Sequence, residues 1–506
     1  YDEKNQLQGE FSYPVEAYTK PKKVYNFSFV ENKATAISMK WDEVLRAEGY
    51  AIYRADTDGA YRRVATTEAT AYTDKGLTAG KTYRYKVCAY AYEEDNCGKY
   101  SDAAKMTTLP AKPMIKVKGG NGKARVKWNA ISGASGYYLY WYDGTKYQYL
   151  TTLEGKNSTE YLHKGLKNGE YTKYKVEAYR TLYEVAYKGA ASDGKTVLVK
   201  NAGATVTSPK LFKNKSRFKK SSAYKECKTF QKKVNYEKSY VIPGLSGTDV
   251  DGFYSKNMCP QGITFAKDYL LLTAYDRNLE ENSVIYVMKK SNRKLLMTIV
   301  LPNKTHAGGI AYDGTNIWVT QTNTVRSIPF RDIQQAIADG KKEYLAQYKT
   351  ICTLTHAASA LTYYKGMLWV ASYDELNAGY LGAYVIDNKT AAPDLVKYAM
   401  TRIPTRVQGL VFTSAGNLIL SRSCQTNASK RGFLHVLNVY KPKLSKLAMG
   451  SVTLGAVKKT IDMPTMNEEI AIDGSYLYVN FESAAFSTAV KRMDRICAFT
   501  VKSILK

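Results

Sequence analysis

The sequence predicts an all-β protein: two sandwich modules, then a circular array of five four-stranded sheets. Three observations carry this. Strand-like segments alternate apolar and polar residues with period two along the chain. The first 200 residues contain one internal repeat, with a period near 88. Residues 240–506 contain another, with a period near 50.

The first repeat reads ISMKWDEVLRAEGYAIYR around Trp41 and ARVKWNAISGASGYYLYW around Trp128. Its second half reads YTDKGLTAGKTYRYKVCAY (72–90) and YLHKGLKNGEYTKYKVEAY (161–179). Tyr85, Val87 and Ala89 alternate, as do Tyr174, Val176 and Ala178, so each segment is a half-buried antiparallel strand. Pro110 and Pro113 mark the junction. A Trp in each core and this strand count fit a seven-stranded sandwich. Over residues 21–200 the pair resembles tandem fibronectin type III modules of secreted Gram-positive surface proteins. The Trp, the Gly-Tyr strand, the Gly-Leu turn and the Tyr-x-Val-x-Ala strand match in both copies. The resemblance implies a spacer or docking role; the first module has no Arg-Gly-Asp in its later hairpin, so integrin binding has no support. Of the 44 Tyr, 25 fall in the first 200 residues. A face of them would stack on sugars, but Tyr also simply suits half-buried strands.

The second repeat has the core QGITFAKDYLLLTAY (261–275), GGIAYDGTNIWVTQT (308–322), SALTYYKGMLWVASY (359–373), QGLVFTSAGNLILSRS (408–423) and EEIAIDGSYLYVNFE (468–482). Each is a strand, a turn and a strand. A third strand follows, as in VIYVM (284–288), YLGAYVID (380–387), FLHVLNV (433–439) and RICAFTV (495–501). A fourth strand, LLMTIVLP, LAQYKTICTL, LVKYAMTRIP or KKTIDMP, follows all but the last. The missing one is expected from KSYVIPGL (238–245), which would close the circle and remove its open edge. This resembles five-bladed β-propellers in general, closed by the N-terminal strand, with no functional family attached. The expected domains are a 1–20 extension, modules at 21–108 and 109–200, a basic linker at 201–237 and the propeller at 238–506.

The charge divides along these lines. Residues 1–108 carry 16 basic and 16 acidic side chains, 109–200 carry 16 and 7, 201–240 carry 11 and 2, and 241–506 carry 31 and 20, summing to +29. Density is highest in the linker. It reads either as a solvated spacer or as a contact for an anionic cell-wall polymer. Nucleic acid is not expected: no zinc knuckle, helix-turn-helix or aromatic-basic strand signature is apparent. No apolar run of 18 residues is present, so no membrane-spanning helix is expected.

Cys88 and Cys97 flank a hairpin tip and are expected to form a cross-strand disulfide, with Cys88 on the solvent side of its strand. Glu177 and Tyr187 take their places in the second module. Cys227, Cys259, Cys352, Cys424 and Cys497 show no zinc spacing. The chain starts with Tyr, so either a removed signal peptide or a fragment is expected. Module type and the Cys pair point to an extracellular protein, secreted or attached to a bacterial surface.

Loops entering the first strands and leaving the second strands should share one face. The first set offers Cys259, Gln261, His306, His356, Ser359, Arg406, Gln408, Asn467 and Glu468; the second offers Asp276, Gln321, Asp374, Glu375, Arg422 and Glu482. Thr305-His306-Ala307 matching Thr355-His356-Ala357 supports the register, as does Tyr275-Asp276 matching Tyr373-Asp374. Converging polar groups at a concave site are the default ligand site. Gln261, His306, Gln321, His356, Ser359, Asp374, Arg406, Gln408, Arg422, Glu468 and Glu482 are therefore the expected ligand-binding residues, for a glycan or polar small molecule. For Gln261, Ser359, Gln408 and Glu468 the competing role is to tie strand ends to buried backbone.

Were the protein catalytic, His306, His356, Glu468, Asp276 and Asp374 are the candidates. A glycosidase needs an acid pair roughly 5–10 Å apart. A divalent cation would want several carboxylates, and Glu468 is the sole acid expected in the inner ring, so no cofactor is assigned. Cys259 with His306 would make a nucleophile and base only if the thiol pKa were lowered. A His base with an Arg would suit a lyase. The leading expectation is a binding protein, with a hydrolase or lyase at the same mouth and a protein-interaction scaffold as alternatives.

Overall fold

Alternation becomes strand throughout the computed structural model, which describes residues 12–14, 19–55, 59–200, 205–208, 211–388, 392–424, 434–444 and 454–506. These divide into two units, Tyr1–Asn201 and Ala202–Lys506.

In the first unit, the strands Ser28–Asn32, Ala36–Lys40 and Ala71–Lys75 form one sheet. Tyr61–Thr67, Gly49–Ala55, Thr82–Tyr90 and Ala104–Thr107 form the other. Ile37 and Met39 from the first meet Ile52, Tyr85 and Val87 from the second in a common core, and Trp41 sits edge-on to Tyr50 at 5.4 Å. The second sandwich repeats this plan, with Trp128 edge-on to Tyr137 at 5.4 Å. Its long strand Tyr171–Leu182 pairs with Lys195–Leu198 near its start and Val185–Lys188 near its end. The two sandwiches abut: Arg180 Nη1 donates to the Gly133 carbonyl at 2.6 Å and its Nε to Thr82 Oγ1 at 3.2 Å.

Cys88 and Cys97 are disulfide-bonded. Two details differ from the expectation. Cys97 lies opposite Tyr90 rather than Cys88, and Cys88 is fully buried rather than solvent-facing. The returning loop causes this: Gly98 N donates to Ala89 O and Ser101 N to Val87 O, which lays residues 97–101 along the strand.

Among the described residues the second unit holds a small sheet of Val206–Thr207, Gly247–Val250 and Phe253–Ser255, and five larger sheets, each built around four antiparallel strands. The first strands of these five are Met258–Ala266, Ile310–Tyr312, Ala360–Tyr364, Val407–Phe412 and Asn467–Asp473. Each is followed in space by the strands that follow it in sequence. The last sheet runs Asn467–Asp473, Tyr476–Phe481, Arg495–Thr500 and then Val234–Val241, so the strand at the start of this unit completes the sheet at its end. The first strands lie beside one another in sequence order, and Asn467–Asp473 returns to lie beside Met258–Ala266. Phe433, placed in a third strand by the sequence, lies outside the described residues.

Two features were not anticipated. Between the third and fourth strands of the second sheet, an amphipathic helix Phe330–Ala338 buries Phe330, Ile333 and Ala336. It is followed by Glu343–Leu345, which adds in parallel to the first sheet. The larger departure is the basic linker. It contains three short helices, α1 (Lys215–Lys220), α2 (Ser222–Glu226) and α3 (Lys228–Lys233). Asn214 and Ser221 cap the first two by accepting from Arg217 N and Tyr224 N. Phe218, Ala223 and Phe230 are buried in a core shared with Phe481 and Phe499. Phe230 meets Phe499 edge-on at 5.7 Å. Most of the cations point outward while three apolar side chains anchor the segment, so this stretch is a docked strap and not a solvated spacer.

Replacing Phe230 by Ala is expected to destabilise this unit by about 3–5 kcal/mol, the usual effect of emptying a buried aromatic site. Lys228→Ala should stay within about 0.5 kcal/mol. Denaturant unfolding of both variants checks this; equal midpoints would mean the strap is not docked.

Candidate functional site

Close approach of the five first strands builds the centre of the second unit. A Cβ at Gly308 would fall 2.3 Å from Ser359 O, one at Gly309 2.5 Å from Leu361 N, and one at Gly409 2.6 Å from Glu469 Cα. Only glycine allows neighbouring backbones this near. Bulges interrupt the first strands between Pro260 and Ile263, Val407 and Gly409, and Asn467 and Ile470. A bulge inserts an unpaired residue and re-aims its side chain. Gln261, Gln408 and the pair Glu468-Glu469 occupy these bulges.

Backbone groups at the bulges and along the inner edges of the first strands are met by side chains. Thr273 Oγ1 accepts from Gly262 N and donates to Ala307 O, both at 2.7 Å. Thr320 Oγ1 accepts from Gly309 N at 2.6 Å. Asn480 Nδ2 donates to Gln261 O at 2.8 Å. Glu469 spans three sheets: Oε2 accepts from Leu361 N at 3.0 Å and Oε1 from Leu410 N at 2.9 Å. The sequence reading passed over Glu469. Its signal is the doubled Glu where the other repeats have Gln-Gly, Gly-Gly or Ser-Ala, but which Glu faces the backbone depends on the bulge.

Above this centre opens a cavity of about 510 Å³, lined by Gln261, His306, Thr322, Ala357, Ala358, Ser359, Tyr373, Glu375 and Gln408. Gln261, His306, Ser359 and Gln408 thus converge from four sheets. His306 packs against Tyr275 with ring centroids 4.3 Å apart and planes tilted by 48°, and burial lowers its pKa. Ser359 Oγ accepts from Tyr373 N at 3.0 Å.

Below Gln261 lies a buried acid layer. Gln261 Nε2 donates to Glu482 Oε2 at 2.9 Å, and the Cys259 thiol donates to the same oxygen at 3.1 Å. Glu468 is 3 % exposed. Burial, and then the charges of Glu482 and Glu469, push its carboxyl well above the usual range and favour its protonated form. Burial and Glu482 likewise push the Cys259 thiol far up. Such a thiol is a hydrogen-bond donor and not a nucleophile at neutral pH.

Other expected site residues have separate partners. His356 donates from Nδ1 to Ala357 O at 2.7 Å and accepts the Tyr384 hydroxyl at Nε2, 3.0 Å away, which fixes it as a neutral ring in the wall. Asp276 accepts from Ser255 Oγ at 2.7 Å and Asn278 N at 2.8 Å. Asp374 caps its own turn, accepting from Leu376 N and Asn377 N, and those bonds lower its pKa. Gln321 Oε1 accepts from Asn303 Nδ2 at 2.7 Å. Arg422 donates to Thr405 O at 2.9 Å and Asn438 Oδ1 at 3.0 Å. Arg406 is buried in a left-handed backbone conformation (φ 64°), its N–H donating to Asp374 O. Asn467 Nδ2 donates to Ser421 Oγ at 2.7 Å. Among the described cavity-lining residues the acid is Glu375. Among the described residues no group of three His, Cys, Asp or Glu is arranged to hold a metal ion.

No family model matches the chain. Over 56 residues it is 43 % identical to a poly(3-hydroxybutyrate) depolymerase of Ralstonia pickettii, covering 11 % of this chain and 10 % of that protein. Over 78 residues it is 37 % identical to an alpha-amylase of Niallia circulans, covering 15 % and 6 %. The chain therefore spans a tenth or less of the length of these curated relatives. Similar solved structures include a two fibronectin type III domain segment from chicken tenascin, at 17 % identity, TM-score 0.25, and 36 % of this chain against 100 % of that one. Another is the chicken interferon gamma receptor alpha chain, at 11 % identity, TM-score 0.23, and coverages of 37 % and 100 %. No helix among the described residues is long and apolar enough to cross a membrane.

Glu469→Gln should destabilise the second unit by about 2–3 kcal/mol in denaturant unfolding, because an amide NH₂ turned to a backbone N–H cannot accept. An unchanged midpoint would remove Glu469 from its bridging role.

His435 makes a second test. Its Nδ1 accepts from Met466 N at 3.2 Å, and burial first, then Lys491 and Arg406, lower its pKa to about 4. The unfolded state takes up this proton near the ordinary value of 6.5, so the contribution is complete above 6.5 and is lost as pH falls towards 4. His435→Asn, which keeps an acceptor at that position, should therefore show a smaller fall in Tm between pH 7 and pH 5 than the native chain. An identical fall would overturn the assignment.

Proposed function

We propose that this chain is an extracellular binding protein, secreted or held on a bacterial surface, whose cavity in the second unit takes a glycan end or another polar ligand. In this reading residues 21–108 and 109–200 are fibronectin type III modules acting as a spacer. Residues 238–506 form a five-bladed β-propeller, with the strap of α1–α3 docked on it. The sheet order, the first strands in cyclic neighbourhood and the final sheet completed by Val234–Val241 support that architecture. Short likenesses to a depolymerase and an amylase are compatible with a secreted protein.

One observation carries the ligand reading: Gln261, His306, Ser359 and Gln408 line one cavity large enough for a sugar ring, and the Gln261 amide is held there by its bond to Glu482. A lowered His306 pKa keeps that ring neutral at pH 7, so it can accept a hydroxyl proton. A hydrolase is the second reading, and Glu468 with Glu482 would be its acids. Both lie under Gln261 and not on the wall, which favours binding over turnover.

Calorimetric titration with neutral and acidic oligosaccharides, paired with a turnover screen on chromogenic glycosides and esters, separates these. Binding without turnover, weakened about tenfold or more in His306→Ala and in Gln408→Ala at unchanged Tm, is expected for loss of a buried hydrogen bond. Turnover abolished in Glu468→Gln would favour the hydrolase. Silence in both assays would leave the scaffold reading.

A further inference from the structure

The second sandwich carries a face that the cavity does not use. On strand Gly136–Tyr142 the side chains of Tyr137 and Leu139 enter the core, which turns Tyr138, Tyr140 and Tyr142 to the other side of the sheet. Register places Lys175 beside Tyr140 and Lys173 beside Tyr142 on one flank, and Tyr149 and Tyr147 beside them on the other. Rings and cations interleave. Lys175 Nζ lies 4.3 Å from the Tyr147 centroid and Lys188 Nζ 4.6 Å from that of Tyr138. Tyr142 meets Tyr147 at 5.3 Å, and Tyr149 is 59 % exposed. Beyond Tyr142 the row runs into a cavity of about 530 Å³, also lined by Trp141, His163 and the exposed Tyr171.

The corresponding face of the first sandwich has a smaller cluster, in which the single Lys86 lies over Tyr53, Tyr61 and Tyr100, its Nζ 3.6 Å from the Tyr100 centroid. There the disulfide-bonded loop lies along the strand, and its Glu94 and Asp95 hold Arg63 at 3.5 and 2.8 Å. Its segment is electrically neutral, whereas residues 109–200 carry +9.

We infer that the Tyr-Lys face of residues 136–188 binds an acidic polysaccharide. Phenol rings offer flat apolar surface to the faces of sugars, and the three lysines match ring carboxylates in sign. The face also carries Glu177, which accepts from Tyr140 at 2.9 Å, and Glu154, which accepts from Tyr179 at 2.7 Å. Carboxylates accept sugar hydroxyls, which an acidic polysaccharide offers on every ring and single-stranded DNA does not, so this mixture of cations and acceptors favours a hydroxyl-rich acidic polymer over DNA.

Affinity electrophoresis of the full chain tests this, with gels containing polygalacturonate, dextran or single-stranded DNA. Retardation by polygalacturonate is expected, weakening about tenfold between 50 and 200 mM salt as counterions return to about three contacts. The double variant Lys175→Glu/Lys188→Glu and, separately, Tyr171→Ala should each lose about tenfold in affinity, while Lys86→Glu on the first sandwich should match the native chain. Tm measured for each variant guards against misfolding, and Tyr171, 74 % exposed, is replaceable without touching the core. Absence of retardation by polygalacturonate, stronger retardation by DNA, or equal loss in Lys86→Glu would each overturn the inference.

Discussion

The second unit depends on how closely its five first strands approach one another. At Gly262, Gly308, Gly309 and Gly409 the next backbone lies where a Cβ would sit. Such contact strands amide groups that the strand ladders no longer reach, and a buried unpaired amide costs about 1–3 kcal/mol. Thr273, Thr320, Asn480 and Glu469 answer them from neighbouring strands and sheets. The glycines and these polar side chains are therefore one device: without the glycines the backbones separate, and without the side chains their approach is unfavourable.

The same device sets the chemistry of the cavity. A bulge that frees an amide also turns a side chain off the ladder, which is how Gln261 and Gln408 reach the wall. Beneath Gln261, Glu482 receives both the amide and the Cys259 thiol. A carboxylate there needs such donors, because the neighbouring Glu468 and Glu469 would otherwise repel it at short range in a dry interior. Protonation of Glu468 relieves that repulsion. The wall above is consequently polar, with Glu375 as its acid among the described lining residues, and suited to hydroxyl and amide recognition, while the acids beneath it hold the floor together.

Sequence legibility followed period. Regular strands were visible because apolar residues alternate over five or more positions. The last sheet's missing strand was visible because four other fourth strands define what it should look like. Helices of five or six residues leave no such trace: Phe218, Ala223 and Phe230 are spaced five and seven apart because each sits in a different helix. The cavity residues were legible as a set of loop positions. Their roles were not, since Asp276, Asp374, His356 and Arg422 each satisfy a local partner that only coordinates reveal. The pair Cys88–Cys97 was read by symmetry about the hairpin tip, and the loop returns two residues out of that register.

The excess positive charge ends in a different place from where composition put it. In the 201–240 stretch it lies on the outer side of docked helices, with Lys215 held to Glu237 at 3.0 Å and Lys491 to Glu226 at 3.3 Å. Surface pairs of this kind add little stability, about 0–1 kcal/mol, so anchoring falls to Phe218 and Phe230 while the remaining lysines stay available to solvent. In the second sandwich the ammonium groups of Lys175 and Lys188 lie over phenol rings, and Lys188 also sits 3.8 Å from Glu177, so each is held in place by its neighbours. A rigid array of cations at fixed spacing discriminates between polymers by the placement of their charges, as a loose tether cannot. Charge that looked like the property of a linker is thereby displayed on ordered surfaces of both units.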